Sequence, residues 1–162
     1  MTRGFSLLEM AITLVVLAII AVLAVPSYSR YQQRQQLRLV GDALAHDALA
    51  AREAAIAQRR PAFLTLRGGS SGWCWGVSVA APCDCRVAPR ACRIALHDGL
   101  EHRDVQALQD AQVAWEPLRG DAMAPSRLDL QTRGGESLSV TVNARGRPSL
   151  CGTGGARGAT PC

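Results

Sequence analysis

Lysine is missing from this chain, and all 18 basic residues are arginine. With alanine and glycine abundant, that bias reads as a GC-rich coding composition and not as a demand of function. The glycine-rich stretch Gly152–Gly158 has no Gly-Lys-Ser/Thr ending and no following helix, so it is no phosphate-binding loop. Aromatic residues make up 4% of the chain, too few for a platform on which single-stranded bases stack. No cysteine precedes Cys74, which excludes a lipid-modified N-terminus. Calcium-ligand clusters and convincing nucleophile–base pairs are absent too, so the residues point to no catalytic site, no metal and no cofactor.

What is present is concentrated at the N-terminus. Met1-Thr2-Arg3-Gly4 is a short positive leader, followed by Phe5-Ser6-Leu7-Leu8-Glu9 and an almost unbroken apolar run to Val25. As a helix, Phe5–Val25 spans about 31 Å, enough for the hydrocarbon core of a bilayer. A carboxylate deep in that core costs roughly 2.5–3.5 kcal/mol on insertion scales. A chain that keeps Glu9 there therefore needs a partner for it. Two other readings compete: a plain membrane anchor, and a secretory signal peptide cleaved after Val22-Leu23-Ala24. Glu9 argues against the second, because it falls where a signal peptide keeps its positive-to-apolar boundary clean.

The string Gly4-Phe5-Ser6-Leu7-Leu8-Glu9 resembles the leader of type IV pilins and type II secretion pseudopilins. The resemblance implies that a prepilin peptidase cuts between Gly4 and Phe5 and N-methylates Phe5. It also implies that Glu9 pairs with the N-terminal amine of a neighbouring subunit during assembly, in a low-dielectric helix bundle. Loss of Arg3 with the leader lowers the formal net charge of +5 by one. The remainder is mildly basic, which permits contact with nucleic acid or anionic surfaces without requiring it.

Beyond the apolar run, Leu37, Val40, Leu44, Ala48 and Ala51 recur at three- and four-residue intervals, the signature of an amphipathic helix. One long helix is expected from about Phe5 to Arg59, bent or broken at Pro26 and closed by Pro61. Pro26 also resembles a proline common near this point in type IV pilins. After Pro61 the pattern changes to short alternating runs: Ala62–Arg67, Trp73–Ala80, Arg93–His97, Val113–Glu116, Arg127–Thr132 and Glu136–Asn143. Turn chemistry separates them, most clearly at Gly134-Gly135. Trp73 and Trp75 share a strand face, which suits core packing. The stretch from Cys151 onward reads as loop.

The expected fold is α+β and pilin-like: a long N-terminal helix, membrane-spanning in its first half, packed on a C-terminal antiparallel β-sheet domain. Its parts would be a leader at 1–4, an assembly helix at 5–26, an amphipathic continuation at 27–60 and a β-rich periplasmic domain at 61–162. Within the superfamily this order, with a late segment Asn143-Ala144-Arg145-Gly146-Arg147, is similar to the GspH/FimT/FimU group of minor pilins and pseudopilins. That implies a structural subunit, with other pilins or pseudopilins, prepilin peptidase and the inner membrane as partners. Some FimT-like members bind DNA during natural transformation through a Gly-Arg-x-Arg element, which makes a DNA-binding minor pilin the alternative function, ahead of an anchored periplasmic enzyme. Here Gly146-Arg147-Pro148-Ser149 lacks the second arginine, and Arg145 or Arg157 would have to supply it as phosphate contacts.

The six cysteines, Cys74, Cys83, Cys85, Cys92, Cys151 and Cys162, would lie in the periplasm under pilin topology, where disulfides persist. Sequence alone does not choose among the fifteen pairings. Cys151 with Cys162 is the best single guess, closing an otherwise loose C-terminus for about 3 kcal/mol in the chain-entropy picture. The other four would staple one hairpin and its loop. Zinc is their alternative, but C-x-x-C pairs are lacking. His97, Asp98, His102 and Asp104 read as polar flanks of an Asp98-Gly99 turn more readily than as metal ligands.

Overall fold

The computed structural model describes residues 6–69 and 72–152, with the backbone alone at 23–27. Helix α1 covers Leu7–Gln58, and eight strands follow among the described residues. The chain divides into two compact units, one ending at Gln32 and one beginning at Gln33. In the first unit α1 from Leu7 to Val22 is apolar apart from Glu9 and Thr13, and Leu7, Leu8, Leu14, Leu17 and Val22 are all well exposed. Helical assignment continues through Pro26, so the expected break does not end the helix. Among the described residues no helix is long and apolar enough to cross a membrane. The described apolar part, Leu7–Val22, is shorter than the roughly 20 residues a span needs. Phe5 and the side chains of Leu23–Val25 lie outside the described set.

In the second unit α1 buries one narrow stripe: Leu37, Val40, Leu44, Ala48, Ala51 and Ala55. The alternation of three and four residues keeps this stripe on one face. Its alanines bring sheet backbone close, and Gly41 goes further. A Cβ on Gly41 would run into the side chains of Leu138 and Leu150. Glycine costs roughly 0.5–1 kcal/mol inside a helix, and here that cost purchases the close approach.

The strands form two antiparallel sheets of four. The first contains β1 (Ala62–Arg67), β2 (Cys74–Val79), β3 (Ala95–Asp98) and β5 (Ala111–Trp115), in the order β3-β2-β1-β5. The second contains β4 (Val105–Ala107), β6 (Ser126–Thr132), β7 (Ser137–Val142) and β8 (Pro148–Gly152), in the order β4-β6-β7-β8. Leu64, Leu66, Trp75, Val77, Val113 and Trp115 from the first sheet share one buried core with Leu128, Leu130, Leu138, Val140 and Val142 from the second. Strand β6 buries every second residue, Leu128, Leu130 and Thr132, as a strand with one dry face should. Gly135, at φ +84°, turns the expected β6–β7 hairpin.

Strand β2 departs from that rule, because both of its faces are covered. Trp75 and Val77 face the helix core. On the other side Cys74 joins Cys83, Cys85 and Cys92 in a separate buried cluster. Gly76 has no Cβ to obstruct this cap, and one added there would meet the sulfurs of Cys92 and Cys83.

The alternating runs match six of the eight strands to within a few residues. Strands β4 and β8 escaped notice. The first is only three residues long, and the second is an edge strand that begins with proline and ends with glycine. Cys151 therefore sits within a strand and not at the start of a loop.

Candidate functional site

Four places gather the residues that carry chemistry. In the first unit Glu9 lies in the first turn of α1, where the positive end of the helix dipole favours an acid. Its side chain is exposed among exposed apolar neighbours. A helix apolar all round belongs inside a larger apolar surrounding. Gly4 and Phe5 lie outside the described residues, as does any contact between them and Glu9.

The second place is the junction of α1 with the first sheet. Asp47 is only 8% exposed although it is a carboxylate. Its Oδ2 accepts a hydrogen bond from the Trp75 indole Nε1–H at 2.8 Å, and His97 Nε2 stands 3.2 Å from the same oxygen. The Trp75 ring stacks on Trp73 at 5.5 Å and on His97, its cross-strand partner, at 4.4 Å. One buried acid thus fastens the helix to a central strand and an edge strand together. His97 is taken up in this junction, and the Asp98 carboxylate accepts from the Leu100 N–H to cap a short 3-10 turn. Sequence reading passed over Asp47. Its signal was an acid set beside Leu44 and Ala48 on the helix's apolar stripe.

Above β2 lies the cysteine cap. The pairs are Cys74–Cys85 and Cys83–Cys92, so the two loops interleave. Cys151 is also disulfide-bonded; Cys162 and Arg157 lie outside the described residues. The cap's loop is held by Asp84, whose carboxylate accepts from the backbone N–H of Arg86 and of Val87 and pairs with Arg67 at 2.9 Å. Those contacts, the Arg86 N–H first, hold its pKa below the usual carboxylate value.

The fourth place is the end of the domain formed by the β7–β8 turn. Arg145 and Arg147 both project there, exposed, in a turn closed by Asn143 and Arg147. Both therefore lie in the hairpin turn between β7 and β8, on either side of Gly146. Gly146 between them has φ +72° and lies against the Gly120 carbonyl and the Trp115 ring. The buried Trp115 Nε1–H donates to the Gly146 carbonyl at 3.1 Å and pins the turn.

A long N-terminal helix, apolar all round at first and then one-sided against antiparallel sheets, defines a pilin-like α+β subunit. The family model described as type II transport protein GspH matches residues 41–146. The chain belongs to that family, whose members are structural pseudopilins and not enzymes. The matched segment begins in the second half of α1, so it owes nothing to the N-terminal motif. No curated protein and no solved structure matches the chain.

Proposed function

We propose that this chain is a minor pseudopilin of a type II secretion system, held in the inner membrane by residues 5–26 and assembled into a pseudopilus through that helix. The observation that carries the reading is Glu9, one acid in an exposed and otherwise apolar helix start, on a chain whose sheet domain belongs to the GspH family. In this reading residues 1–4 are removed, Phe5 becomes the methylated N-terminus, and Glu9 neutralises the Phe5 amine of a neighbour. Low dielectric strengthens that attraction and fixes register between subunits. The partners are other pseudopilins and the prepilin peptidase. A type IV pilus subunit would use the same helix.

DNA is the alternative partner, and it rests on Arg145 and Arg147. Exposed guanidinium groups bind phosphates without regard to sequence and lose affinity steeply with salt.

The test is intact-mass spectrometry of the membrane-extracted protein, made with and without prepilin peptidase. A peptidase-dependent N-terminus at methylated Phe5 is expected. The Glu9→Leu variant should still be processed but fail to cross-link to neighbouring pseudopilins. A mature chain that keeps Met1–Gly4 or starts at Val25 would sink the reading.

A further inference from the structure

The tip that carries Arg145 and Arg147 is wider than its two arginines. The Glu116–Met123 loop packs against the Asn143–Arg147 turn through Ala122, whose N–H donates to the Ala144 carbonyl at 3.0 Å, and through Gly120 beneath Gly146. This loop is tied down from several directions. Arg52 on α1 donates to the Gly120 and Arg119 carbonyls at 3.0 and 3.1 Å. The Glu116 carboxylate accepts from the backbone N–H of Leu118 and of Arg119. Yet the residues so fixed face solvent: Leu118 is 80% exposed, Met123 60%, and the Arg119 side chain 83%. Such a surface has already met the ordering cost that binding usually imposes.

Its charge is positive on balance, with Arg119, Arg145 and Arg147 against Glu116 and Asp121. Asp121 stands 3.5 Å from Arg119, and Glu116 is occupied by backbone donors. Arg145 and Arg147 have no side-chain partner among the described residues. Arginine and methionine are enriched at protein interfaces, and the planar guanidinium matches a carboxylate in two-point fashion. A phosphate backbone would use the arginines but has no use for Leu118 and Met123. Nor does the tip expose an aromatic ring on which a base could stack; Trp115 is buried beneath it.

We propose that Leu118, Arg119, Met123, Arg145 and Arg147 form a preorganised docking surface for an acidic, apolar-interspersed segment of a protein partner. The surface goes beyond the assembly reading and does not depend on the N-terminal helix.

The test uses the full chain held in detergent and fluorescence anisotropy with three labelled probes. These are a short peptide alternating Asp or Glu with Leu, the same peptide with Lys for each acid, and a short duplex DNA. The acidic peptide should bind and the lysine peptide should not. Arg145→Glu with Arg147→Glu should weaken the acidic peptide by at least about tenfold. Leu118→Ser with Met123→Ser should weaken it by about fivefold or more. Unchanged near-ultraviolet circular dichroism would confirm that both variants remain folded. Acidic-peptide binding that is absent, or indifferent to either pair, overturns the proposal. So does DNA binding that outcompetes the peptide and falls with the arginine pair alone, which would assign the tip to nucleic acid.

Discussion

Asp47→Ala tests whether one carboxylate ties the helix to the sheet. The substitution removes the acceptor of a buried indole N–H at 2.8 Å and the partner of His97 at 3.2 Å. A hydrogen bond to a charged group contributes about 1.5–3 kcal/mol, and a buried donor left without a partner costs about 1–3 kcal/mol. These describe the same loss from two sides and are not summed. His97 is 40% exposed and can turn to water, so it adds little. The expected destabilisation is about 2–3 kcal/mol. Asp47→Asn keeps an acceptor oxygen for the indole and should cost about 1 kcal/mol. The assay is urea titration of the detergent-held protein, followed by near-ultraviolet circular dichroism. A double-mutant cycle with Trp75→Phe isolates the pair and should give a coupling of about 1–2 kcal/mol. If Asp47→Ala costs less than about 0.5 kcal/mol, or the two changes simply add, the junction is incidental packing.

Two further outcomes follow from the tip and the acids. Gly146→Ala would force a Cβ onto the Gly120 carbonyl and the Trp115 ring at φ +72°, and should destabilise the domain by about 2–4 kcal/mol; a thermal melt unchanged from the parent would refute this. Asp84, Glu116 and Asp129 all have pKa values lowered on folding. For Glu116 the Leu118 N–H is the main cause. For Asp129 burial pushes upward but is outweighed by hydrogen bonds from Ser139 and Arg127 and by the Arg127 charge. Depressed carboxylates stabilise fully above their unfolded values near 4, and that contribution is lost as pH falls through the folded values. The urea midpoint should therefore drop as pH falls from about 5 toward 3, and Asp129→Asn should flatten part of that drop. A parent whose midpoint holds steady over this range would contradict the sign.

Sequence pattern revealed what depends on period. The stripe Leu37, Val40, Leu44, Ala48 and Ala51 is buried as its spacing requires, and Gly134-Gly135 turns the hairpin between two alternating runs. What stayed hidden depends on partners distant along the chain. Asp47 looks like a surface acid until Trp75 and His97 arrive from two strands. Strand β8 has too little alternation of its own and exists because β7 offers an edge. The interleaved cysteine pairs follow from the path of the loop over Gly76, which no spacing encodes. Arg145 and Arg147 were visible as residues, but the apolar ledge beside them comes from a loop more than twenty residues earlier in the chain.

The cap over β2 makes the domain's completion a matter of where the chain finds itself. Sheet one has the helix on one face and, over its second strand, two crossed disulfides on the other. Thiols kept reduced in a cytosol-like environment cannot close that roof, and the outer face of β2 at Cys74 and Gly76 would then lie beneath a loose loop. An oxidising compartment supplies the missing layer without adding a residue. The cysteines thus tie completion of this sheet to the redox state of its surroundings: the same polypeptide is an unfinished sheet under reducing conditions and a finished one under oxidising conditions.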